Sequence, residues 1–325
     1  MSYLDAKAGG RTASEWPIAA AMLPFRNTTL SGALIQDAPA DVWAATLAEV
    51  AHEGFSHIDL TDSWVRPGDL SADRLGELAA VVKGAGLAAE GLSAIRRSVI
   101  DPETGDDNLA YSHRTIDAAA ALGCSVVSVG LHRPLAEAQK RALWFWTVDG
   151  PKDSEDNDIW RLAVNRLREL GEHAASVGLE LSLEMYEDTL LGTADSAVRL
   201  VQDIAHDAVG LNPDLGNLYR LHRPIEPFID AVVKCMPHSN YWHVKNFYRL
   251  ADETKGAIMT APAPMDSGAM DYRAAVKIAL VSGYTGAFCV EQYGGDGLAI
   301  MARNRDYLRG LLSFDLTNDA SPEVI

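Results

Sequence analysis

The chain has 325 residues, 48% hydrophobic and 22% charged, a balance that suits a soluble globular protein and excludes a disordered or fibrous one. Its 28 Lys and Arg against 45 Asp and Glu give a formal charge of −17, which repels phosphate backbones and anionic membranes, so neither nucleic acid nor a membrane is an expected partner. Cys124, Cys235 and Cys289 show neither disulfide nor zinc spacing, which favours a reducing cytoplasm; no signal peptide is expected at the N-terminus and no apolar stretch is long enough to span a bilayer.

In chain order, short apolar runs alternate with longer stretches whose apolar residues recur every three or four positions. A strand is expected over 17–23 (PIAAAML), then a helix with Trp43, Leu47 and Val50 on one face, stopped at Gly54. A second strand over 56–60 precedes a helix capped by Ser71, with Leu75, Leu78 and Val82 inward and a stop at Gly86. Strands over 87–93 and 125–130 flank an Ala-rich helix over 108–122 that ends at Gly123. A helix over about 156–177 ends at Gly178, before a strand over 179–184 and a helix over about 194–204. Strands over 209–212, 241–245 and 287–291 alternate with helices over about 227–236, 272–281 and 297–312. Eight strands, each followed by a helix, predict one (β/α)8 barrel across the chain, with irregular tails at about 1–15 and 313–325. The rival doubly wound sheet lacks a GxGxxG or GxxxxGK[ST] loop. Two connections, 131–155 with its Trp144-Phe145-Trp146 run and 246–270 with Pro262 and Pro264, are longer than a barrel needs and follow strands, so both belong to its catalytic face.

Active sites of such barrels lie at the C-terminal strand ends. The strands from the fifth to the eighth bring Glu184, Asp214, His243 and Glu291 there. Three carboxylates and an imidazole form an oxygen-rich set suited to a hard divalent cation, Mn²⁺ first, with Mg²⁺ or Co²⁺ as alternatives. Any one acid could instead cap a helix or pair with a lysine; four in register make a shared ligand role the stronger reading. His132 ends the fourth strand, as a base beside a metal or a contact to a sugar hydroxyl. Trp144 and Trp146 are either a stacking platform for a flat substrate or a hydrophobic plug. His57 and Asp59 alternate along a strand, so at most one points inward; Asp59 is a candidate sugar contact or a structural carboxylate. Lys245 and Arg249 are candidate substrate contacts, with a loop salt bridge as the alternative for Arg249.

The segments LEMYEDTLLGT (183–193), VGLNPDLGNL (209–218), HVKN (243–246), SGAMDY (267–272) and GYTGAFCVE (283–291) resemble those of the xylose-isomerase-like barrels, which include sugar isomerases, ketose 3-epimerases and inosose dehydratases. The resemblance covers nearly the whole chain and implies that Glu184, Asp214, His243 and Glu291 bind a divalent metal. Two positions depart from it: Asn217 stands where the epimerases usually have a substrate-binding His, and Asn246 stands where the family has Asp. More narrowly, LEMYEDT, NPDLGNLYRLHRP, HVKNFYR and His132 look similar to the catalytic α subunits of bacterial C-glycoside deglycosidases. That similarity implies a lyase acting on 3-oxo glucosides of aromatic aglycones, by proton abstraction next to the keto group and loss of the aglycone, in a hetero-oligomer with a small β subunit. The alternatives are a ketose 3-epimerase or aldose–ketose isomerase in which metal-bound Glu184 and Glu291 move the proton, and a noncatalytic carbohydrate-binding or scaffold subunit.

Overall fold

In the computed structural model, which describes residues 11–252 and 254–317, short apolar strands buried on both faces make the centre of the molecule, as a helix-covered parallel sheet requires. They are β1 (Ile18–Ala21), β2 (His57–Asp59), β3 (Ala88–Ala94), β4 (Val126–Gly130), β5 (Glu180–Glu184), β6 (Val209–Asn212) and β7 (Tyr241–Val244). An antiparallel pair, β8 (Asn246–Asp252) and β9 (Ala257–Ala263), then stands apart before β10 (Ala287–Val290) returns to the main sheet. The parallel order is β6-β5-β4-β3-β2-β1-β10-β7, eight strands in a nearly closed (β/α)8 barrel. At the seam between β6 and β7 the backbones are joined, among the described residues, by the single bridge Leu211–Ser239. A side-chain amide helps to complete it, Asn212 Oδ1 accepting the His243 N–H at 2.7 Å, and Asn240 Nδ2, just before β7, donates to the Leu181 carbonyl of β5 at 3.1 Å.

The outer layer follows the apolar periodicity. Helix α1 (Ala40–His52) buries Trp43, Leu47 and Val50, and α2 (Ala72–Gly84) is capped by Ser71, which accepts the Arg74 N–H. Then come α3 (Gly105–Leu122), the short α4 (Glu137–Arg141), α5 (Asn157–Ser176), α6 (Ala194–Ile204), α7 (Gly216–Tyr219), α8 (Phe228–Cys235), α9 (Tyr272–Val281) and α10 (Gly297–Thr317). Gly123 closes α3 in the left-handed conformation (φ 74°), which a side chain rarely adopts. The three cysteines are buried free thiols, and among the described residues no helix is long and apolar enough to cross a membrane.

Three expectations change. The connection 246–270 is largely a hairpin, which its sequence hides because Tyr248, Leu250 and Met259 leave apolar side chains on an exposed face and β9 contains Pro262, a residue that argues against a strand. The connection 131–155 contains α4 and a 3₁₀ turn over Phe145–Thr147. Helix α10 runs to Thr317 instead of ending near 312, with Asp315 buried in its last turn, so the expected tail over 313–325 is helical at its start; the rest of that tail and most of the tail at 1–15 lie outside the described residues.

Candidate metal centre and substrate pocket

The C-terminal ends of β5, β6, β7 and β10 bring Glu184, Asp214, His243 and Glu291 together, all buried. Donor atoms of Glu184, Asp214 and His243 lie within 4.8 Å of one another, and Glu291 Oε1 is 3.7 Å from His243 Nδ1. Lys245, at the end of β7, places its buried ammonium on Asp214 Oδ2 and Glu291 Oε2. Burial alone would push that ammonium's pKa down, but Asp214 and Glu291 hold it well above the ordinary lysine value. Lys245 is therefore an internal counter-ion of the acid cluster.

One lysine does not satisfy the cluster. Asp214 Oδ1 and His243 Nδ1 are buried with no hydrogen-bond partner, and Asn217 donates to only one oxygen of Glu184, at 3.0 Å. Orphaned buried polar atoms are rare unless an ion or water completes them. Hard carboxylate oxygens plus one imidazole form the donor set of a divalent cation, so the residues present fit a metal. Burial pushes the Glu184 carboxyl up to about 7. Glu291 meets the same burial, but Lys245 and His243 outweigh it and hold its carboxyl below the ordinary value.

The residues around these four have defined tasks. Asp59 is the inward member of its pair and is used by the protein: Ser93 and Tyr241 donate to Oδ2 at 2.8 Å each, Thr61 to Oδ1 at 3.1 Å, and His243 Nε2 lies 3.8 Å away. These partners hold it beside the His243 ring, the position of a carboxylate that steadies an imidazole. Gly91 permits this arrangement, since a Cβ there would come within 2.7 Å of Asp59 Oδ2 and the Tyr241 hydroxyl. Asn217 Nδ2 donates to Glu184 and to the Met185 carbonyl, while its Oδ1 is buried without a partner. Arg249 donates to the carbonyls of Tyr219, Leu221 and Arg223, so it braces the loop after α7. Asn246 accepts from the Met270 N–H and donates to the carbonyls of Met265 and Met270, which pins the return of the hairpin.

A cavity of about 510 Å³ opens above the cluster, with Glu184, His243 and Glu291 at its base. That is large enough for a sugar-sized ligand. His132 forms part of its wall: the ring is buried, stacks on Tyr186 at 4.4 Å, and neither nitrogen has a partner. Burial, then the nearby charges of Arg96 and Arg220, depress its pKa well below the usual histidine value, so the imidazole is neutral. Gly130 makes room for it, because a Cβ would lie 2.5 Å from His132 Nδ1.

The Trp144-Phe145-Trp146 run closes one side of the mouth. Trp146 is buried, stacked on Trp144 at 4.9 Å and set edge-on against Phe247 and Tyr293. The ring facing the main cavity is Phe145; Trp146 faces a smaller adjoining cavity, and Trp144 lines neither. Neither tryptophan lines the main cavity.

Sequence reasoning missed Arg220, which is fully buried and donates from Nη2 to both oxygens of Glu187 at 2.9 and 2.8 Å. Phe145, Trp146, Tyr186 and Tyr293 surround its guanidinium with ring centroids 4.7 to 5.8 Å away. The available signal was Glu187, three positions past the strand-end Glu184. Arg96 was missed as well. It holds a left-handed backbone (φ 56°) at the cavity wall and donates to the Tyr186 hydroxyl at 2.8 Å.

Fold and site together define a (β/α)8 barrel whose strand ends carry a buried donor set fit for a divalent cation. The chain belongs to the xylose isomerase-like TIM barrel family, whose model matches residues 47–311. It is similar to a xylose isomerase-like TIM barrel protein from Mycobacterium smegmatis solved in complex with magnesium, with 47% identity and a TM-score of 0.91 over 94% of this chain and 99% of that one. Its fold is also that of a D-psicose 3-epimerase solved in the presence of D-fructose (16% identity, TM-score 0.63, 94% of this chain and 100% of that one). It is shared by the IOLI protein with a bound zinc atom (16% identity, TM-score 0.61, 95% and 99%). No curated protein matches the chain in sequence.

Proposed function

We propose that this protein is a metal-dependent sugar epimerase or isomerase that moves a proton on a carbon next to a carbonyl. The observation that carries the reading is the convergence of Glu184, Asp214, His243 and Glu291, with Asp214 Oδ1 and His243 Nδ1 buried and unpartnered beneath a sugar-sized cavity. These four residues would hold a divalent cation, with Mn²⁺ or Mg²⁺ preferred by so many carboxylate oxygens. When bound, such an ion supplies Lewis acidity, polarising a carbonyl oxygen and so acidifying the adjacent C–H. Glu184 and Glu291 face the cavity with their pKa values pushed apart, the relation expected of a proton-donating and a proton-accepting pair. One carboxylate takes the proton from carbon and the other returns one to the opposite face, which inverts that centre. Lys245 keeps Glu291 ionised, Asn217 orients Glu184, and the aromatic loop limits water at the mouth. The similarity to a magnesium complex and the shared fold with a ketose 3-epimerase support this reading.

A second reading, elimination of the aglycone from a 3-oxo glycoside, is favoured by one observation: His132 is neutral, buried, unpartnered and aimed into the same cavity. It would take the proton next to the keto group while the C1 bond to the aglycone breaks and the aglycone leaves with the electron pair. The test incubates metal-loaded protein with free ketoses and with 3-oxo glucosides in D₂O. Epimerised ketose carrying one deuterium supports the first reading, and released aglycone the second. His132→Ala separates them further. It should retain metal and epimerisation, but should lose about 10² to 10⁴ in rate if His132 is the base of an elimination.

A further inference from the structure

Far from the barrel mouth, α3 and α5 carry a matched set of side chains. His113 and Asp117 are four residues apart on α3, and Glu169 and His173 are four apart on α5, so each pair shares one helix face. Across the groove, His113 Nε2 meets Glu169 Oε1 at 2.9 Å and His173 Nε2 meets Asp117 Oδ1 at 3.0 Å. The two Nδ1 atoms then face each other at 2.8 Å, with the rings tilted by 34°.

Each Nε2 must carry hydrogen to donate to its carboxylate. A neutral imidazole has only one such hydrogen, so both Nδ1 atoms present lone pairs to each other. Two lone pairs repel at 2.8 Å, and two N–H groups would clash. Something positive belongs between them. A histidine whose far nitrogen donates to a carboxylate is also the usual arrangement of an imidazole ligand, since the carboxylate fixes the tautomer and makes the ring more basic. Here it occurs twice, pointing at one spot.

We propose that His113 and His173 form a site for a borderline transition-metal cation such as Zn²⁺, Co²⁺ or Ni²⁺ that clips α3 to α5 on the outside of the barrel. Imidazole nitrogen suits these ions and not Mg²⁺. At a metal–nitrogen distance of about 2.0–2.1 Å, tetrahedral ligation needs the nitrogens about 3.3 Å apart, a small ring rotation from their present spacing. The side chains of His113 and His173 are 29% and 23% exposed, so an ion enters from solvent and water completes its shell. The more exposed Asp117 and Glu169 attract the cation and hold the rings.

The test starts from chelator-stripped, Mg²⁺-loaded full-length protein titrated with Zn²⁺, with bound metal counted after desalting and Co²⁺ absorption used to read geometry. Wild type is expected to bind one more Zn²⁺ than His113→Gln or His173→Gln. Asp214→Asn should keep that ion, since no residue of this site lines the barrel cavity. In the Asp214→Asn background, Zn²⁺ at about 100 times its Kd should raise Tm by a few degrees, and adding His113→Gln should abolish the rise. Both glutamine variants replace partly exposed residues, and circular dichroism verifies that they fold. Equal Zn²⁺ binding by wild type and both folded variants would overturn the proposal and leave a shared proton between the rings.

Discussion

Removing the Arg220 side chain tests how the aromatic loop is held over the cavity. Arg220→Met keeps an apolar stem among the four rings but leaves Glu187 buried without its cation. Breaking a buried ion pair from one side costs about 3–5 kcal/mol, because the remaining charge is uncompensated. Loss of the ring contacts adds about 0.5–1 kcal/mol for each one that Met fails to replace. Urea unfolding of Arg220→Met, Glu187→Gln and the double variant forms a cycle. The account predicts a loss of at least about 3 kcal/mol for Arg220→Met, and a double variant more stable than the sum of the single losses by about 2 kcal/mol. Substrate KM should rise more than kcat falls, since the loop and not the metal ligands is loosened. A loss below about 1 kcal/mol, or strict additivity, would refute the claim that this pair holds the loop.

Asp62 carries a pH dependence of its own. Burial raises its carboxyl from the ordinary value to about 6, against hydrogen bonds from the Ile95 N–H and the Tyr111 hydroxyl. A carboxyl raised in the folded state binds its proton more tightly there than in the unfolded chain. Its contribution is therefore present below about pH 4 and is lost as pH rises through about 6, a change of about 3 kcal/mol. Asp62→Asn should flatten the stability profile between pH 4 and 7, and an unchanged slope would remove Asp62 as its source. Asn246→Ala should destabilise by about 2–4 kcal/mol in urea unfolding, because it leaves the buried Met265 carbonyl without its donor and the Met270 N–H without its acceptor; a change under about 0.5 kcal/mol would show that the clamp is dispensable.

The barrel was legible because its strands are apolar runs followed by helices with a clear inward face, as Trp43, Leu47 and Val50 show. The four site residues were legible for a related reason: each stands within two residues of a strand's C-terminal end, where barrel topology alone sets convergence. The tasks of their neighbours were not. Asp59, Asn217 and Arg249 have the chemistry of substrate contacts, but apart from Thr61 their partners lie 26 or more residues away in sequence, and only the fold shows the carbonyls, hydroxyls and carboxylates they already serve. The Arg220 cage is invisible for the same reason, since its rings come from three separate loops. The hairpin escaped notice because its outward face is not polar, which removes the alternation that marks a half-buried strand.

The central claim, that a divalent cation held by Glu184, Asp214, His243 and Glu291 drives proton transfer on a sugar, is tested most directly with Asp214→Asn. Chelated wild type reloaded with Mn²⁺ should retain one tightly bound ion at this site and exchange one carbon-bound hydrogen of a ketose or 3-oxo sugar for deuterium. Asp214→Asn, folded by circular dichroism, should do neither. Ordinary Mn²⁺ retention and exchange in that variant, or exchange by wild type stripped of all metal, would contradict the account.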